Sequence, residues 1–383
     1  MSIELKKFSI IERDASSQAR TALLETGHGK VSTPVFCPVG TAGAVKGIGP
    51  DRLKEAGCSM ILANTYHLLL RPGIEAIEKI GGIQKLMGWD GAILTDSGGY
   101  QVFSLSKLVK ITNSGIEFSS HVDGQKISLT AADAIDTQRR LGADIAMCLD
   151  YCPPYPADDK QLKDAVEKTI RWAKESKAAH KSETQMLFGI VQGGTNRELR
   201  KYCAAEIIKN DFDGYAIGGL GLGEGHSNLV DTLRFTTPLL PEGKLRYLMG
   251  VGTPADIIAA VKSGVDIFDC VLPTRNGRNA YAFTEKGPMR LRNNAYITDI
   301  APIETDCDCY CCKNFSRASL RHFFNVGEML GPILLSIHNI CFYQRLMIQI
   351  RNSIEEKRFC AWADEKIAKY RSLYNSSGES KKD

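Results

Sequence analysis

The stretch DIFDCVLPTRNGRN, residues 266–279, sets the reading of the whole chain. The apolar residues Val265, Ile267 and Phe268 have the composition of a short buried strand, and the run ends on a carboxylate, Asp269. Pro273 cannot continue a central ladder. The chain is therefore expected to leave the sheet and enter a polar loop, Thr274-Arg275-Asn276-Gly277-Arg278-Asn279. On its own, a strand-end Asp is most simply a turn former. Beside a cationic loop it could also be a reacting group held next to an anionic substrate.

Seven more runs of the same kind precede it: Pro34–Val39, Met60–Ala63, Ala92–Leu94, Ile145–Leu149, Met186–Val191, Tyr215–Ile217 and Tyr247–Met249. Helical stretches separate them. In DKQLKDAVEKTIRWAKESKAAH, Leu162, Val166, Ile170 and Ala173 recur at three-to-four-residue steps. Short apolar runs alternating with amphipathic helices imply βα units and a parallel sheet. Eight of them are what a closed barrel needs. The expected fold is α/β: a (β/α)8 TIM barrel over residues 1–280, a cysteine-bearing subdomain over 281–345, and a C-terminal helix and polar tail over 346–383 that complete the barrel.

The residues just past each run carry the chemistry. The second run ends in Asn64-Thr65-Tyr66-His67 and the third in Asp96-Ser97-Gly98-Gly99-Tyr100-Gln101. The fourth ends in Asp150-Tyr151-Cys152, the fifth in Gln192-Gly193-Gly194, and the sixth in the glycine-rich Gly218–Glu224. The seventh gives Gly250-Val251-Gly252 and the eighth Asp269. In a barrel these C-terminal strand ends gather on one rim, where catalytic groups sit. Three carboxylates and an amide side chain would converge there. Gly218 and Gly219 would let backbone approach a flat ligand, and Tyr100 could stack on it or simply pack over the mouth.

The chain has 383 residues with net charge +4 and 43% apolar residues, enough for a sizeable core without the charge excess of a nucleic-acid coat. MSIELKKFSI lacks the apolar core of a signal peptide, and no apolar run approaches a membrane span. A cytoplasmic protein with no membrane partner is expected. Four of the 12 cysteines, Cys307, Cys309, Cys311 and Cys312, fall within six residues. In a reducing compartment that points to metal rather than disulfides. Just before them, YAFTEKGPMRLRN reads as a short hairpin turning at Lys286-Gly287, carrying Arg290 and Arg292. The spacing Cys-x-Cys-x2-Cys needs a fourth ligand to close a tetrahedron. His338, 26 residues past Cys312, is the best candidate, with His322 and Cys311 as rivals. One structural Zn2+ per chain is expected.

Taken together, ANTYHL at 63–68, DSGGYQ at 96–101, GADI at 142–145, FDGYAIGGL at 212–220, MGVG at 249–252, FDCVLPTR at 268–275, the cysteine block and SIHN at 336–339 resemble the queuine/tRNA-guanine transglycosylase family in its bacterial type, from about Phe8 to about Tyr370. The resemblance implies a (β/α)8 barrel with a zinc-bearing insertion that exchanges the wobble guanine of GUN-anticodon tRNAs for a 7-deazaguanine base, the prequeuosine base. By motif it implies Asp269 as nucleophile and Asp96 as general acid/base. Asp150, Cys152, Gln192, Gly219, Leu220 and Met249 would hold the base, Tyr100 would stack on it, and Glu224 would sit behind the Leu220 peptide. Arg275 and Arg278 would grip the anticodon loop. Cys307, Cys309, Cys312 and His338 would bind zinc, and the protein would be a homodimer.

Four positions depart from the family pattern. Tyr151 stands where Glu is usual, Leu222 where Val is frequent, and Phe315 and Ser319 replace an aromatic pair found across some dimer interfaces. Leu222 favours a small incoming base over queuine. Two other readings use the same residues: a glycoside hydrolase barrel, which gives the arginines and metal module no task, and a non-catalytic tRNA-binding subunit, which retention of all three aspartates disfavours.

Overall fold

Eight short strands, buried along nearly their whole length, close on themselves in a computed structural model that describes residues 7–105 and 109–375. The barrel strands are β1 (Val35–Gly40), β2 (Met60–Ala63), β3 (Ala92–Thr95), β4 (Ile145–Met147), β5 (Met186–Val191), β6 (Gly214–Ile217), β7 (Leu245–Leu248) and β8 (Ile267–Cys270). Each pairs in parallel with the next, and β8 pairs with β1 through Ile267 and Val35, Phe268 and Phe36, and Asp269 and Cys37. All eight expected runs lie in this barrel. Because both faces of every strand are covered, the runs read as continuous Val, Ile, Leu and Met rather than as alternation.

Four helices bear on the site: α1 (Asp159–Ala179), α2 (Leu272–Arg278), α3 (Leu330–Glu355) and α4 (Phe359–Asn375). The α1 helix carries the stripe read from sequence and starts in a capping box. The Gln161 N–H donates to the Asp158 carboxylate at 2.8 Å, and the Gln161 side chain accepts from Asp158 N–H at 3.0 Å. The expected polar loop at 274–279 is instead mostly α2. Pro273 falls in its first turn, where a missing N–H costs nothing. The α3 helix runs unbroken from Leu330 to Glu355, across the 345/346 division expected from sequence. The hairpin after α2 is present as Tyr281–Ala282 against Met289–Arg290. The polar tail from residue 376 lies outside the described residues.

Two antiparallel sheets stand outside the repeat. Lys7–Arg13, Arg20–Thr26 and Gly29–Thr33 form one ahead of β1, and Val109–Ile111, Gly115–Ser119 and Lys126–Thr130 form another between β3 and β4. The first is fastened under the barrel by Arg20, whose guanidinium donates to both Asp266 oxygens at 2.9 and 2.7 Å with both side chains fully buried.

Aspartates mark both ends of the barrel, with different work. At the N-terminal ends, Asp144, Asp213 and Asp266 each accept a backbone N–H from the neighbouring strand or its start, from Ile93, Leu187 and Arg246 at 2.8–2.9 Å. These carboxylates satisfy the sheet. The aspartates at the C-terminal ends answer largely to side chains from other βα units.

Candidate active site

Asp96 follows β3 directly and is only 6% exposed. The Asn64 side-chain amide donates to Oδ2 at 2.5 Å and the Thr65 N–H to Oδ1 at 2.8 Å, so the end of β2 fixes a carboxylate at the end of β3. Burial, with the charge of Asp269 adding to it, pushes the Asp96 carboxyl up to about 6, against the pull of the Asn64 and Thr65 bonds. A carboxyl in that range can give and take a proton near neutrality.

Asp269 lies in β8, facing the mouth and partly open to solvent. The Tyr247 hydroxyl donates to its Oδ1 at 2.5 Å, and the Gly250 N–H donates to the same oxygen at 2.8 Å. Burial raises its pKa, and those two donors pull it back down. Oδ1 is thus bound by protein, while no protein donor holds Oδ2 among the described hydrogen bonds.

Asp150, 5% exposed, sits three residues beyond β4. Ser97 Oγ donates to its Oδ1 at 3.2 Å and the Gln192 amide to Oδ2 at 2.8 Å. Burial raises its pKa as well. The other Gln192 atom, Oε1, is buried without a hydrogen-bond partner. Gly218 and Gly219 pack on this amide. A Cβ on Gly218 would meet Gln192 Nε2 at 2.5 Å, and one on Gly219, whose φ is +68°, would meet Oε1 at 2.5 Å. Glycine is required at 218 for space, and at 219 for space and for the left-handed backbone.

Behind this turn lies a residue that sequence reasoning missed. Arg200 is fully buried and donates to three carbonyls, Gly194 at 2.7 Å, Val191 at 3.0 Å and Gly218 at 2.7 Å. Burial lowers its pKa to about 10. It ties the ends of β5 and β6 together. Its helical position gives no sequence signal beyond an Arg where an apolar residue would be expected. Tyr247 and Asn64 carry no assigned role in the sequence reading, although Tyr247 opens one apolar run and Asn64 stands just past another.

Glu224, 8% exposed, accepts the Gly221 N–H at 2.6 Å and the Leu222 N–H at 2.9 Å. In a trans peptide N–H and C=O point opposite ways. The Leu220 carbonyl therefore points away from Glu224. Cys152 is buried, and burial pushes its thiol up to about 12, so it is a neutral wall rather than a thiolate. Met249 is half-buried beside Gly250, and Tyr100 is 46% exposed on the helix Gly99–Leu105. The structure thus gathers Asp96, Asp150, Gln192, Gly219 and Asp269 at one barrel mouth. Arg275 and Arg278 stand exposed on α2, immediately past β8, and neither forms an ion pair among the described residues.

Away from the mouth, Cys307, Cys309, Cys312 and His338 converge, all buried, with their ligand atoms within 4.8 Å of one another. His338 Nδ1 lies 3.7, 3.8 and 3.4 Å from the three sulfurs. A tetrahedron with zinc–sulfur and zinc–nitrogen bonds has S–N edges of about 3.5 Å. His338 Nε2 is committed to the Phe283 carbonyl at 2.9 Å, which leaves the Nδ1 lone pair for a metal. The donor set and its spacing fit a closed tetrahedral site. Neither His322 nor Cys311 belongs to it. No helix among the described residues is long and apolar enough to cross a membrane.

Comparison with known proteins points the same way. The profile of a family described as queuine tRNA-ribosyltransferase matches residues 14–372. A protein of that name from Caldanaerobacter subterraneus subsp. tengcongensis is 52% identical over 365 residues, 95% of this chain and 97% of the relative. Proteins of the same name from a Thermoanaerobacter species, at 51% over 95% and 97% of the two chains, and from Thiobacillus denitrificans, at 50% over 92% and 96%, are similar at comparable depth.

Proposed function

This chain belongs to the queuine tRNA-ribosyltransferase family and is a tRNA-guanine transglycosylase, and from that premise we propose the base it inserts and the residues that do the chemistry. It exchanges the wobble guanine of GUN-anticodon tRNAs for the prequeuosine base, 7-aminomethyl-7-deazaguanine, by double displacement through Asp269. The observation that carries this reading is the unequal setting of two carboxylates at one mouth. Asp269 keeps one oxygen on Tyr247 and Gly250 and the other without a protein donor, while Asp96 is pushed up to about 6.

In the first half-reaction Asp269 Oδ2 attacks ribose C1′. The C1′–N9 bond breaks through an oxocarbenium-like transition state, and its electron pair leaves with guanine. Asp96 gives the departing base a proton. In the second half, Asp96 takes a proton from the incoming base, whose nitrogen attacks C1′ as the ester to Asp269 breaks. The glycosidic bond energy is conserved in the ester, so no nucleotide cofactor is needed. Asp150, the Gln192 amide, the Gly219 backbone and the Leu220 carbonyl present donors and acceptors to the base edge, and Tyr100 covers its face. Cys152 and Met249 wall the pocket, and Glu224 sets the Leu220 peptide.

The target base must leave its stack to reach this mouth. Arg275 and Arg278 supply phosphate contacts that hold the anticodon loop open. One zinc ion held by Cys307, Cys309, Cys312 and His338 supplies structure, because protein fills all four positions. The enzyme acts in the cytoplasm as a homodimer. Ile297, Ile300 and Met329, 56, 90 and 74% exposed around the cysteine module, are the apolar surface that supports such an interface.

The test is Asp269→Asn with unmodified GUN-anticodon tRNA and radiolabelled guanine. Wild-type protein should incorporate label and give a denaturant-stable adduct with tRNA, and the variant should do neither. A variant that still exchanges guanine would refute the assignment.

A further inference from the structure

The α3 helix reads out three contacts within four residues. Ser336 and Asn339, three apart and so on one face, look toward α2, while His338 looks toward the cysteines. Asn339 is fully buried, and every hydrogen-bonding group of its side chain is used. Its amide nitrogen donates to the Pro273 carbonyl and to the Tyr281 carbonyl, both at 2.9 Å. Its Oδ1 accepts the Phe283 N–H, also at 2.9 Å. One side chain therefore joins the first turn of α2 to the strand Tyr281–Ala282 and the residue after it. The next residue back on the helix, His338, holds the carbonyl of that same Phe283 with Nε2 and faces the three thiols with Nδ1.

The helices also touch at the backbone. A Cβ on Gly277 would lie 2.7–2.8 Å from Ser336 Oγ, Cα and N, so α2 lies directly on α3 only because residue 277 is glycine. Gly277 sits between Arg275 and Arg278. The distance and pitch of the arginine-bearing helix are thus set from α3, by one amide and one close crossing. Neither feature contacts the aspartates of the mouth.

We infer that Asn339 is a positioning residue for tRNA, which fixes where α2 presents Arg275 and Arg278 relative to the cysteine–histidine module. The inference rests on the reading of α2 as the tRNA-gripping element. Losing the amide would leave the Pro273 and Tyr281 carbonyls and the Phe283 N–H unpaired in a buried place. α2 is the element these bonds tie to the strand Tyr281–Ala282, so the lost bonds would be answered by a shift of α2 on α3. The base pocket, built from β3 to β7, would keep its shape.

The experiment measures guanine exchange by the full-length, metal-loaded protein and its Asn339→Ala variant, with tRNA and guanine varied separately. Direct tRNA binding and metal content are measured alongside. In the variant, KM for tRNA and the directly measured Kd should each rise about tenfold, the effect of misplacing phosphate contacts. The KM for guanine, the kcat at saturating tRNA and the metal content should stay within about twofold. A tRNA KM within about twofold of wild type overturns the inference, and so does a loss of kcat, guanine affinity and metal together, which marks a general structural role. If Asn339→Ala does not fold, Gly277→Ala serves instead. It separates α2 from α3 without touching the amide and should give the same split, and its failure to do so is equally fatal. Arg275→Ala/Arg278→Ala, measured in parallel, separates the two readings. Unchanged tRNA affinity there refutes the arginine assignment itself, whereas weakened affinity there with a normal Asn339→Ala refutes only the inference.

Discussion

The Tyr247 hydroxyl, on β7, donates a 2.5 Å hydrogen bond to Oδ1 of Asp269 on β8. The bond reaches across adjacent strands, from a residue whose backbone pairs with Ile267 two positions earlier. The Gly250 N–H on the same oxygen means that one carboxylate oxygen is oriented twice. This geometry favours the ionised form and aims the other oxygen.

Tyr247→Phe should therefore move the Asp269 pKa further up, because one of the two donors opposing burial is gone. In the role proposed for it Asp269 must be deprotonated, so the acid limb of kcat/KM should shift to higher pH and kcat should fall about tenfold at neutral pH. A pH–rate profile with guanine as incoming base checks this. An acid limb that stays in place would show that the hydroxyl only fills space.

Asp96 bears on stability as well as on chemistry. Its carboxyl is raised from 3.8 to about 6, chiefly by burial. A raised folded-state pKa means that the native state binds the proton more tightly than the unfolded chain. Stability is then greatest below about pH 4 for this group and is lost as pH rises through 6. Asp96→Asn removes the buried charge and should be more stable than wild type at pH 8 by about 2–3 kcal/mol, with the gap closing below pH 4. Urea unfolding at the two pH values measures it. A variant no more stable at pH 8 would mean that Asn64 and Thr65 already compensate the charge.

These two aspartates also mark how far sequence carried the structure. The strands were legible because burial on both faces makes each one a continuous apolar run. The end of each run then located Asp96, Asp150, Gln192 and Asp269. The two antiparallel sheets were not found, because their strands are three to seven residues long and one set is half polar, as in KISLT, where only Leu129 is fully buried. Turn signals such as Asp123-Gly124 were present, but a reading guided by the βα repeat passes over them. The α2 helix reads as a loop in the sequence because its polar residues and Pro273 resemble a turn, and only the packing of Gly277 on Ser336 makes it a helix with a buried face. Arg200, Tyr247 and Asn64 act on partners from other βα units, and no spacing along one chain records which strand ends become neighbours.

The cysteine block makes a prediction that depends on telling adjacent thiols apart. Cys312 lies 3.4 Å from His338 Nδ1, whereas Cys311, one residue back, is fully buried in an apolar cluster with Leu320, Phe324 and Leu335. Wild-type protein should carry about one zinc ion per chain. Cys309→Ala should lose it and unfold at markedly lower temperature, while Cys311→Ala should keep it and lose only packing, about 1–2 kcal/mol. Metal analysis of protein purified without chelator decides the matter. Metal lost from both variants alike would place Cys311 in the ligand set.

A last prediction concerns base preference and Leu222. Its N–H is fixed by Glu224 at 2.9 Å, so the backbone cannot swing away, and its half-buried side chain stands in the turn after β6. Tyr151, four residues past the end of β4 at its own strand end, packs its ring 5.0 Å from that of Phe103 against the cluster of Tyr66, Phe118 and Trp172, and so leaves Leu222 as the bulky group to test. A base carrying only an aminomethyl group demands less room than queuine with its cyclopentenediol. Wild-type protein should therefore insert guanine and the prequeuosine base into a GUN-anticodon tRNA in preference to queuine. Leu222→Gly removes four carbons and should raise kcat/KM for queuine about tenfold or more, the scale on which apolar pockets discriminate by size, with guanine little changed. Competition among the three bases measures both arms. Queuine accepted equally by wild type and variant would show that Leu222 does not bound the pocket.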